Sequence, residues 1–320
     1  MKAAILNQFG ASPVYGDFPE PAPSKGQQLI RVKAASVKNI DKGVASGAHY
    51  SSHGQLPVVM GVDGVGMLEN GQRVYAGGGS GMMAEFATIP ARYVAVPDAI
   101  DDVTAAALPN PALSAWFSLV SRAGIQPGDT VYVNGATGVT GKVAIQLARH
   151  LGAGRIIAAG RNEHILKSVL ELGADEVVVL KEEEDKLAKR IADLHEASPF
   201  DIVIDYTWGK PAEMLLNALA GNDLHAEAHR TRYVTVGEMA GPTIQLPSAF
   251  LRSSAIELYG VGGGSISKEV MQRVPGEILP MLFSLAAEGK LRIDTIVMPL
   301  QDVAKAWTLQ TPGKRIVLVP

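Results

Sequence analysis

The residues best suited to bind a ligand lie in one glycine-rich segment near the middle of the chain. Gly135, Gly138 and Gly141 are spaced three apart, after an apolar run typical of a strand and before a stretch typical of a helix. Glycine lets a backbone turn sharply and approach a phosphate closely, and a helix N-terminus offers unpaired N–H groups. The segment lacks the Gly-Lys-Ser/Thr ending of a triphosphatase loop, so a dinucleotide pyrophosphate fits it better. The predicted contacts are Gly135, Thr137, Gly138, Val139 and Thr140, and the alternative is a tight turn without a ligand.

The end of the next predicted strand carries Gly160, Arg161 and Asn162. An acidic residue there would bind the ribose hydroxyls of NAD, whereas a guanidinium can form charge-assisted hydrogen bonds to a 2′-phosphate. The sequence therefore predicts NADPH as the cofactor, bound in part by these three residues. The alternative is that Arg161 is merely exposed at a strand end.

These loops need a parallel sheet to position them, and the sequence between about 112 and 263 predicts one. Short apolar runs alternate there with amphipathic stretches, a pattern typical of a Rossmann-type doubly wound α/β fold. The predicted strands are 130–134, 155–159, 176–180, 201–205 and 233–236, and the predicted helices are 112–123, 142–150, 163–172, 182–195 and 210–219.

The first 110 residues or so have a different pattern, rich in Gly and Pro, with β-like stretches at 28–34, 73–76, 84–89 and 93–96. They indicate a mostly β domain. Near the C-terminus we predict strands at 293–298 and 315–319 and a short helix at 303–307, which return to this first domain. The predicted domains are therefore 1–111 with 264–320, and 112–263.

Composition excludes several classes of protein. The chain has 320 residues, 47% of them hydrophobic and 19% charged, and its net charge is −3, so neither disorder nor a nucleic-acid partner is expected. It has no cysteine, which removes disulfides and cysteine-containing zinc sites. His225 and His229 are four apart without a third ligand, so no metal site is expected. No signal peptide or membrane span is expected either, and the predicted location is the cytoplasm.

Several short motifs, taken in order, are similar to the zinc-independent quinone oxidoreductase group of the medium-chain dehydrogenase/reductase superfamily. They are Met1-Lys2-Ala3, the segments 35–41, 57–66 and 106–109, the glycine loop 135–141, and the segments 288–291 and 313–318. Zinc-dependent members carry Gly-His-Glu where this chain has Gly61-Val62-Asp63, so the resemblance implies hydride transfer without zinc. It also implies a mostly β, GroES-like catalytic domain beside the Rossmann domain.

The resemblance further implies a site at the carboxyl ends of the strands, in the cleft between the domains. Its additional cofactor contacts would be Asn39, Asn110, Thr207, Trp208, Val236, Gly237, Gly260 and Gly262. Among the candidate catalytic residues, Tyr50 is predicted as a proton donor or hydrogen-bond partner of the acceptor oxygen, Lys38 could polarise that oxygen instead, and Asp41 lies beside them. The proton could also come from water.

Two departures from the family pattern bear on the site. Lys38 and Asn39 replace the usual Asn-Pro pair, and Ile165 and Leu180 stand where family members often bring a Lys and a Tyr toward the 2′-phosphate. Arg161 would then carry more of the preference for NADPH.

We therefore expect an NADPH-dependent oxidoreductase that transfers a hydride to a quinone or an α,β-unsaturated carbonyl, and that forms a homodimer. The alternatives are a catalytically weak NADPH-binding protein with a structural or regulatory role, and a zinc-free alcohol dehydrogenase.

Overall fold

The computed structural model describes residues 1–48, 52, 55–220 and 229–320 of the chain. By the contacts that its residues make, it divides into two compact units, Met1–Asn110 with Gln272–Pro320, and Pro111–Met271. The sequence predicts domain boundaries after residues 111 and 263. In the structure the units change after Asn110, one residue earlier, and after Met271, eight residues later. Within the described residues, no helix is long and apolar enough to cross a membrane.

The N-terminal part of the first unit is mostly strand. Its strands are β1 (Lys2–Leu6), β2 (Val14–Asp17), β3 (Gln27–Ser36), β4 (Val58–Val59), β5 (Asp63–Met67), β6 (Arg73–Gly77), β7 (Phe86–Pro90) and β8 (Val94–Ala95). Its helices are α1 (Asn39–Ser46) and α2 (Asp102–Ala107). The Asp101 side chain accepts the N–H of Thr104, which caps α2.

The second unit alternates helices with strands, as the sequence predicts. Its helices are α3 (Pro109–Trp116, continued by the π-helical segment Phe117–Arg122), α4 (Val139–His150), α5 (Glu163–Leu170), α6 (Glu184–Ala197), α7 (Gly209–Leu219), α8 (Ser248–Ser253) and α9 (Lys268–Arg273). Its strands are β9 (Thr130–Asn134), β10 (Arg155–Gly160), β11 (Glu176–Val179), β12 (Ile202–Asp205), β13 (Thr231–Thr235) and β14 (Ile256–Gly260). The first residues of α3 and the last of α9 belong to the first unit.

The C-terminal segment returns to the first unit. It contains a π-helical segment (Val274–Ile278), α10 (Leu279–Ala287), β15 (Thr295–Pro299), the short 3₁₀ turn Leu300–Asp302, α11 (Val303–Thr308) and β16 (Arg315–Val319). In this unit β15, β16, β3, β5, β6 and β8 form one sheet in that order, β7 pairs with β3, and β2, β1 and β4 form a second sheet.

The sheet of the second unit is parallel and has the order β11-β10-β9-β12-β13-β14. Every residue of β9 is buried, because helices cover both faces of such a sheet. The order reverses between β9 and β12, and ligands of open α/β sheets bind at the carboxyl ends of the strands at this point. The predicted α/β fold class, a Rossmann-type doubly wound sheet with a mostly β domain, is confirmed.

Candidate functional site

The glycine-rich turn joins β9 to α4 at the carboxyl end of the sheet. The N–H groups of Gly135 and Ala136 both donate to the carbonyl of Ala159 at the end of β10, at 3.0 and 2.9 Å. Gly138 is the N-cap residue of α4 and supplies no capping side chain. The first-turn N–H groups of α4 therefore lack an intrahelical partner and carry the positive end of the helix dipole. A phosphate is the ligand chemistry that this turn fits.

The three glycines of the turn differ in what requires them. Gly135 has φ +84°, a conformation that favours glycine. A Cβ on Gly141 would lie 2.5 Å from the carbonyl oxygen of Gly135 and 2.7 Å from Cα of Ala136, so α4 can pack on the turn only with glycine there. A Cβ on Gly138 would meet only the carbonyl oxygen of Gly135, at 3.4 Å, an ordinary contact. The protein itself does not require glycine at 138, whereas a closely approaching phosphate would.

The end of β10 presents Arg161 next to this turn. Arg161 is exposed, and within the described part of the chain its guanidinium has no hydrogen bond or ion pair. Asn162 is the N-cap of α5, and its side chain accepts the N–H of Ile165 at 3.2 Å. The Asn162 carboxamide oxygen thus caps α5, while the Arg161 guanidinium remains available for an anion.

A buried carboxylate, Asp205, organises the end of β12. Its Oδ1 accepts the N–H of Thr207 at 2.8 Å, the Thr207 hydroxyl at 2.7 Å and Nδ2 of Asn134 at 3.0 Å. Its Oδ2 accepts the Tyr233 hydroxyl at 2.8 Å and the N–H of Trp208 at 3.1 Å. Burial, followed by the charge of Asp205, raises the pKa of Tyr233 well above its ordinary value, so the phenol stays a donor. Asp205 therefore ties together the ends of β9 and β12 and the turn that follows β12.

The turn after β12 contains an unusual backbone conformation. Trp208 has φ +52° and ψ −159°, and among the described residues it is the non-glycine residue with positive φ. This combination of φ and ψ lies near a region of backbone conformation populated almost only by glycine, and holding another residue there costs about 1–3 kcal/mol. The two Asp205 oxygens that accept the Trp208 N–H help to offset this strain.

In the first unit, Lys38 and Asp41 lie in a buried ion cluster. The Lys38 ammonium donates to the Ser36 carbonyl at 3.0 Å and to Oδ1 of Asp63 at 3.1 Å, and it lies 3.3 Å from Oδ2 of Asp41. Oδ1 of Asp41 accepts the N–H of Val62 at 2.9 Å. Burial lowers the pKa of Lys38, but the Asp41 and Asp63 carboxylates outweigh burial and raise it above its ordinary value. The three ammonium hydrogens thus face acceptors inside this unit.

Comparisons with known proteins show the family to which the chain belongs. A family model described as zinc-binding dehydrogenase matches residues 139–275. A human quinone oxidoreductase is 30% identical over 290 residues, which cover 85% of this chain and 83% of the relative. The chain belongs to the quinone oxidoreductase group of the medium-chain dehydrogenase/reductase superfamily.

Solved structures of this family match the chain over its whole length. A mycobacterial quinone oxidoreductase is 26% identical with a TM-score of 0.83, and each chain is covered completely. A quinone oxidoreductase from Thermus thermophilus, solved also in complex with NADPH, is 26% identical with a TM-score of 0.79 and equally complete coverage.

Most of the predicted cofactor residues lie at or just after the carboxyl ends of the strands in the second unit's sheet. These are Gly135, Thr137, Gly138, Val139, Thr140, Gly160, Arg161, Asn162, Thr207, Trp208, Val236, Gly237, Gly260 and Gly262. The N–H groups of Val236 and Gly237 donate to the Asp205 carbonyl, which holds their backbone beside the end of β12. Asn39, the first residue of α1, and Asn110, in α3, belong to the first unit. The contacts of all these residues with the cofactor stay predictions.

The predicted catalytic residues are Tyr50, Lys38 and Asp41. Tyr50 lies outside the described residues. Lys38 is placed with its ammonium buried against acceptors of its own unit, so in this conformation it is not available to polarise an acceptor oxygen. Both Asp41 carboxylate oxygens are likewise engaged within this cluster. Lys38 and Asp41 thus connect the start of α1 to Val62 and Asp63, and their catalytic roles stay predictions.

Sequence reasoning missed Asn134 and Asp205 as parts of the site. Both are polar residues that end an apolar strand, at the edge of the sheet where ligands bind. That signal is present in the sequence. The contact between the two residues, 71 positions apart, is not.

Proposed function

We propose that this chain is an NADPH-dependent quinone oxidoreductase that transfers a hydride to a quinone or to the β-carbon of an α,β-unsaturated carbonyl. The observation that carries the proposal is the uncapped α4 N-terminus behind the Gly135–Gly141 turn, with the exposed Arg161 guanidinium at the end of the next strand. The relatives' activity, and the NADPH complex of the Thermus thermophilus relative, point the same way.

The chain's own residues would bind and orient the cofactor. The α4 amides hold the pyrophosphate, Arg161 pairs with the 2′-phosphate, and the Asp205 network fixes the end of β12 beside them. Bound NADPH supplies the hydride, and the protein contributes orientation and exclusion of water. A quinone that accepts a hydride and one proton leaves as the hydroquinone. The source of that proton, Tyr50 or water, stays a prediction.

Zinc independence is part of this proposal. The chain has no cysteine to serve as a thiolate ligand, and Val62 stands at the position of the metal-ligand histidine of zinc-dependent relatives. The Asp41 and Asp63 carboxylates are already paired with the Lys38 ammonium, and a divalent cation beside them would meet its positive charge. Activity that survives dialysis against a strong chelator would support this part, and activity restored only by added zinc would contradict it.

The purified chain tests the main proposal directly. We expect it to oxidise NADPH in the presence of phenanthrenequinone, with one hydroquinone formed per NADPH, and to use NADH far less efficiently. Simple alcohols should not reduce NADP⁺. Tight NADPH binding without turnover across a panel of quinones and enones would favour a non-catalytic NADPH-binding protein instead.

A cytoplasmic location and a homodimer also remain predictions. β14 is the last strand in the sheet order, and Leu258 on it is 37% exposed, so this strand is the edge through which the sheet could extend into a second copy. Light scattering on the purified chain should give the mass of a dimer, and a monomer at micromolar concentration would overturn that assignment.

A further inference from the structure

Two tyrosines flank the buried carboxylate of Asp205 on one face of the second unit's sheet. In the register of the parallel strands, Val203 of β12 lies beside Tyr132 of β9 on one side and Tyr233 of β13 on the other. Asp205 follows two residues further along β12, beside Asn134 of β9. Because side chains two residues apart on a strand share a face, both phenol rings lie on the same face as the side chains of Asp205 and Asn134.

The hydroxyls of these two tyrosines have different environments. The Tyr233 hydroxyl donates to Oδ2 of Asp205 at 2.8 Å. The Tyr132 hydroxyl is fully buried and forms no hydrogen bond with any group in the described part of the chain. Burial, and then the charge of Asp205, raise the pKa of Tyr132, so this phenol stays protonated near the carboxylate. A buried hydroxyl without a partner costs free energy.

Asn134 carries a complementary unpaired atom. Its Nδ2 donates to Oδ1 of Asp205 at 3.0 Å and to the Thr207 hydroxyl at 2.8 Å. These two acceptors fix the orientation of the carboxamide, because a flipped carboxamide would set its oxygen against the Asp205 carboxylate. Oδ1 of Asn134 therefore faces away from Asp205. It too is buried, and it has no hydrogen-bond partner among the residues that the structure describes.

We propose that a single buried water molecule binds between the Tyr132 hydroxyl and Oδ1 of Asn134. The water accepts the phenolic hydrogen of Tyr132 and donates one of its own hydrogens to the Asn134 oxygen, so both groups become paired. Buried waters occupy polar sites of this kind, where two to four groups lack protein partners. The bridge extends the Asp205 network along β9, up to the residue that precedes the glycine-rich turn. This inference does not depend on the proposed function.

A crystal structure of the wild-type chain, at a resolution that shows ordered water, tests the site directly. We expect a spherical peak of density within about 2.6–3.1 Å of both the Tyr132 hydroxyl oxygen and Oδ1 of Asn134. The absence of a peak, a peak that reaches only one of the two atoms, or a direct hydrogen bond between them would overturn the proposal.

Urea unfolding of Tyr132→Phe tests the same site by the sign of its effect. Removing a hydroxyl that bonds to water loses a hydrogen bond, whereas removing an unpaired one relieves a desolvation cost. We therefore expect Tyr132→Phe to lower the urea midpoint by about 0.3–1 M. A midpoint equal to or above that of the wild-type chain would overturn the proposal.

Tyr206→Phe is the matched control. The Tyr206 hydroxyl is also buried and unpaired within the described ranges, but burial alone raises the pKa of Tyr206, with no charged group like Asp205 contributing. We expect the urea midpoint of Tyr206→Phe to equal or exceed that of the wild-type chain. An equal fall in both variants would assign the loss to packing of the ring and contradict the water bridge.

Discussion

Substituting Gly138 by alanine should separate cofactor binding from folding. Gly138 has φ −78° and ψ 165°, which alanine adopts without strain. The added Cβ would touch only the Gly135 carbonyl oxygen, at 3.4 Å. Alanine is a poorer N-cap than glycine by several tenths of a kcal/mol. It also reduces the conformational entropy of the unfolded chain, which stabilises the folded state by about 0.4–1 kcal/mol. The two effects nearly cancel, so the free energy of unfolding should change by less than about 1 kcal/mol.

Cofactor affinity should respond much more strongly than stability. A methyl group at position 138 lies where the pyrophosphate must approach the amides of α4. Losing one hydrogen bond to a charged group costs about 1.5–3 kcal/mol, which corresponds to a Kd for NADPH raised about 10- to 150-fold.

Gly141→Ala is the matched control in the same turn. Its Cβ would lie 2.5 Å from the Gly135 carbonyl oxygen and 2.7 Å from Cα of Ala136, and neither backbone atom can move aside cheaply. Overpacking of this kind costs about 1–3 kcal/mol. The gain of about 1 kcal/mol in helix propensity offsets only part of it, so we expect a net loss of stability of about 1–2 kcal/mol.

Urea unfolding and calorimetric titration with NADPH measure both quantities on the same preparations. A Gly138→Ala protein that binds NADPH within two-fold of wild type would show that no phosphate rests on this turn. A Gly138→Ala protein as unstable as Gly141→Ala would show that the glycine serves the fold rather than the ligand.

Three further changes probe the charged groups. Arg161→Ala should raise the KM for NADPH by about 10- to 100-fold and leave that for NADH nearly unchanged; equal effects would remove the assignment of the 2′-phosphate. Asp205→Asn should destabilise the chain by about 2–4 kcal/mol and weaken NADPH binding by about ten-fold, whereas Asp201→Asn, at the amino end of the same strand, should leave NADPH binding intact; equal losses of affinity would refute the positioning role. Burial, and then His229, lowers the pKa of His195 to about 4. Only the unfolded chain then binds a proton between pH 6.5 and about 4, so the free energy of unfolding should fall by about 1–2 kcal/mol as pH drops through that window, allowing for partial solvent screening. In His195→Asn this pH dependence, measured by urea unfolding at pH 7 and 5, should flatten, and an unchanged slope would exclude His195 as its source.

The sequence predicts the parallel sheet better than the rest of the fold. β9 has the predicted bounds, and β10, β11 and β12 each differ from theirs by one residue, because continuous apolar runs between turn residues leave few alternatives. α4 begins at Val139, three residues before the predicted start, since the glycine turn itself leads into the helix. β5, with the sequence Asp-Gly-Val-Gly-Met, was not predicted, because its two glycines interrupt the alternation by which a strand is recognised.

The candidate site likewise has one part that the sequence predicts and one part that it does not. The glycine turn and Arg161 are local motifs, so their roles can be predicted from spacing. The Lys38 cluster could not be predicted, because Asp63 lies 25 residues from Lys38, and only the pairing of β3 with β5 brings their strands together. The conformation of Trp208 likewise depends on Tyr233 and Asn134, which are distant in sequence.

The difference between these two parts of the site has a physical origin: one depends on backbone groups and the other on side chains. In the proposed complex main-chain amides hold the pyrophosphate. Every residue except proline supplies such an amide, so the requirement appears in the sequence as glycines that allow close approach. The polar side chains at the end of the sheet reach their places through contacts made by distant strands, as Asp205 does through Tyr233 and Asn134. The cofactor of such a reductase can therefore be predicted from its sequence, whereas the side-chain network beside the cofactor becomes visible only once the fold has brought distant strands together.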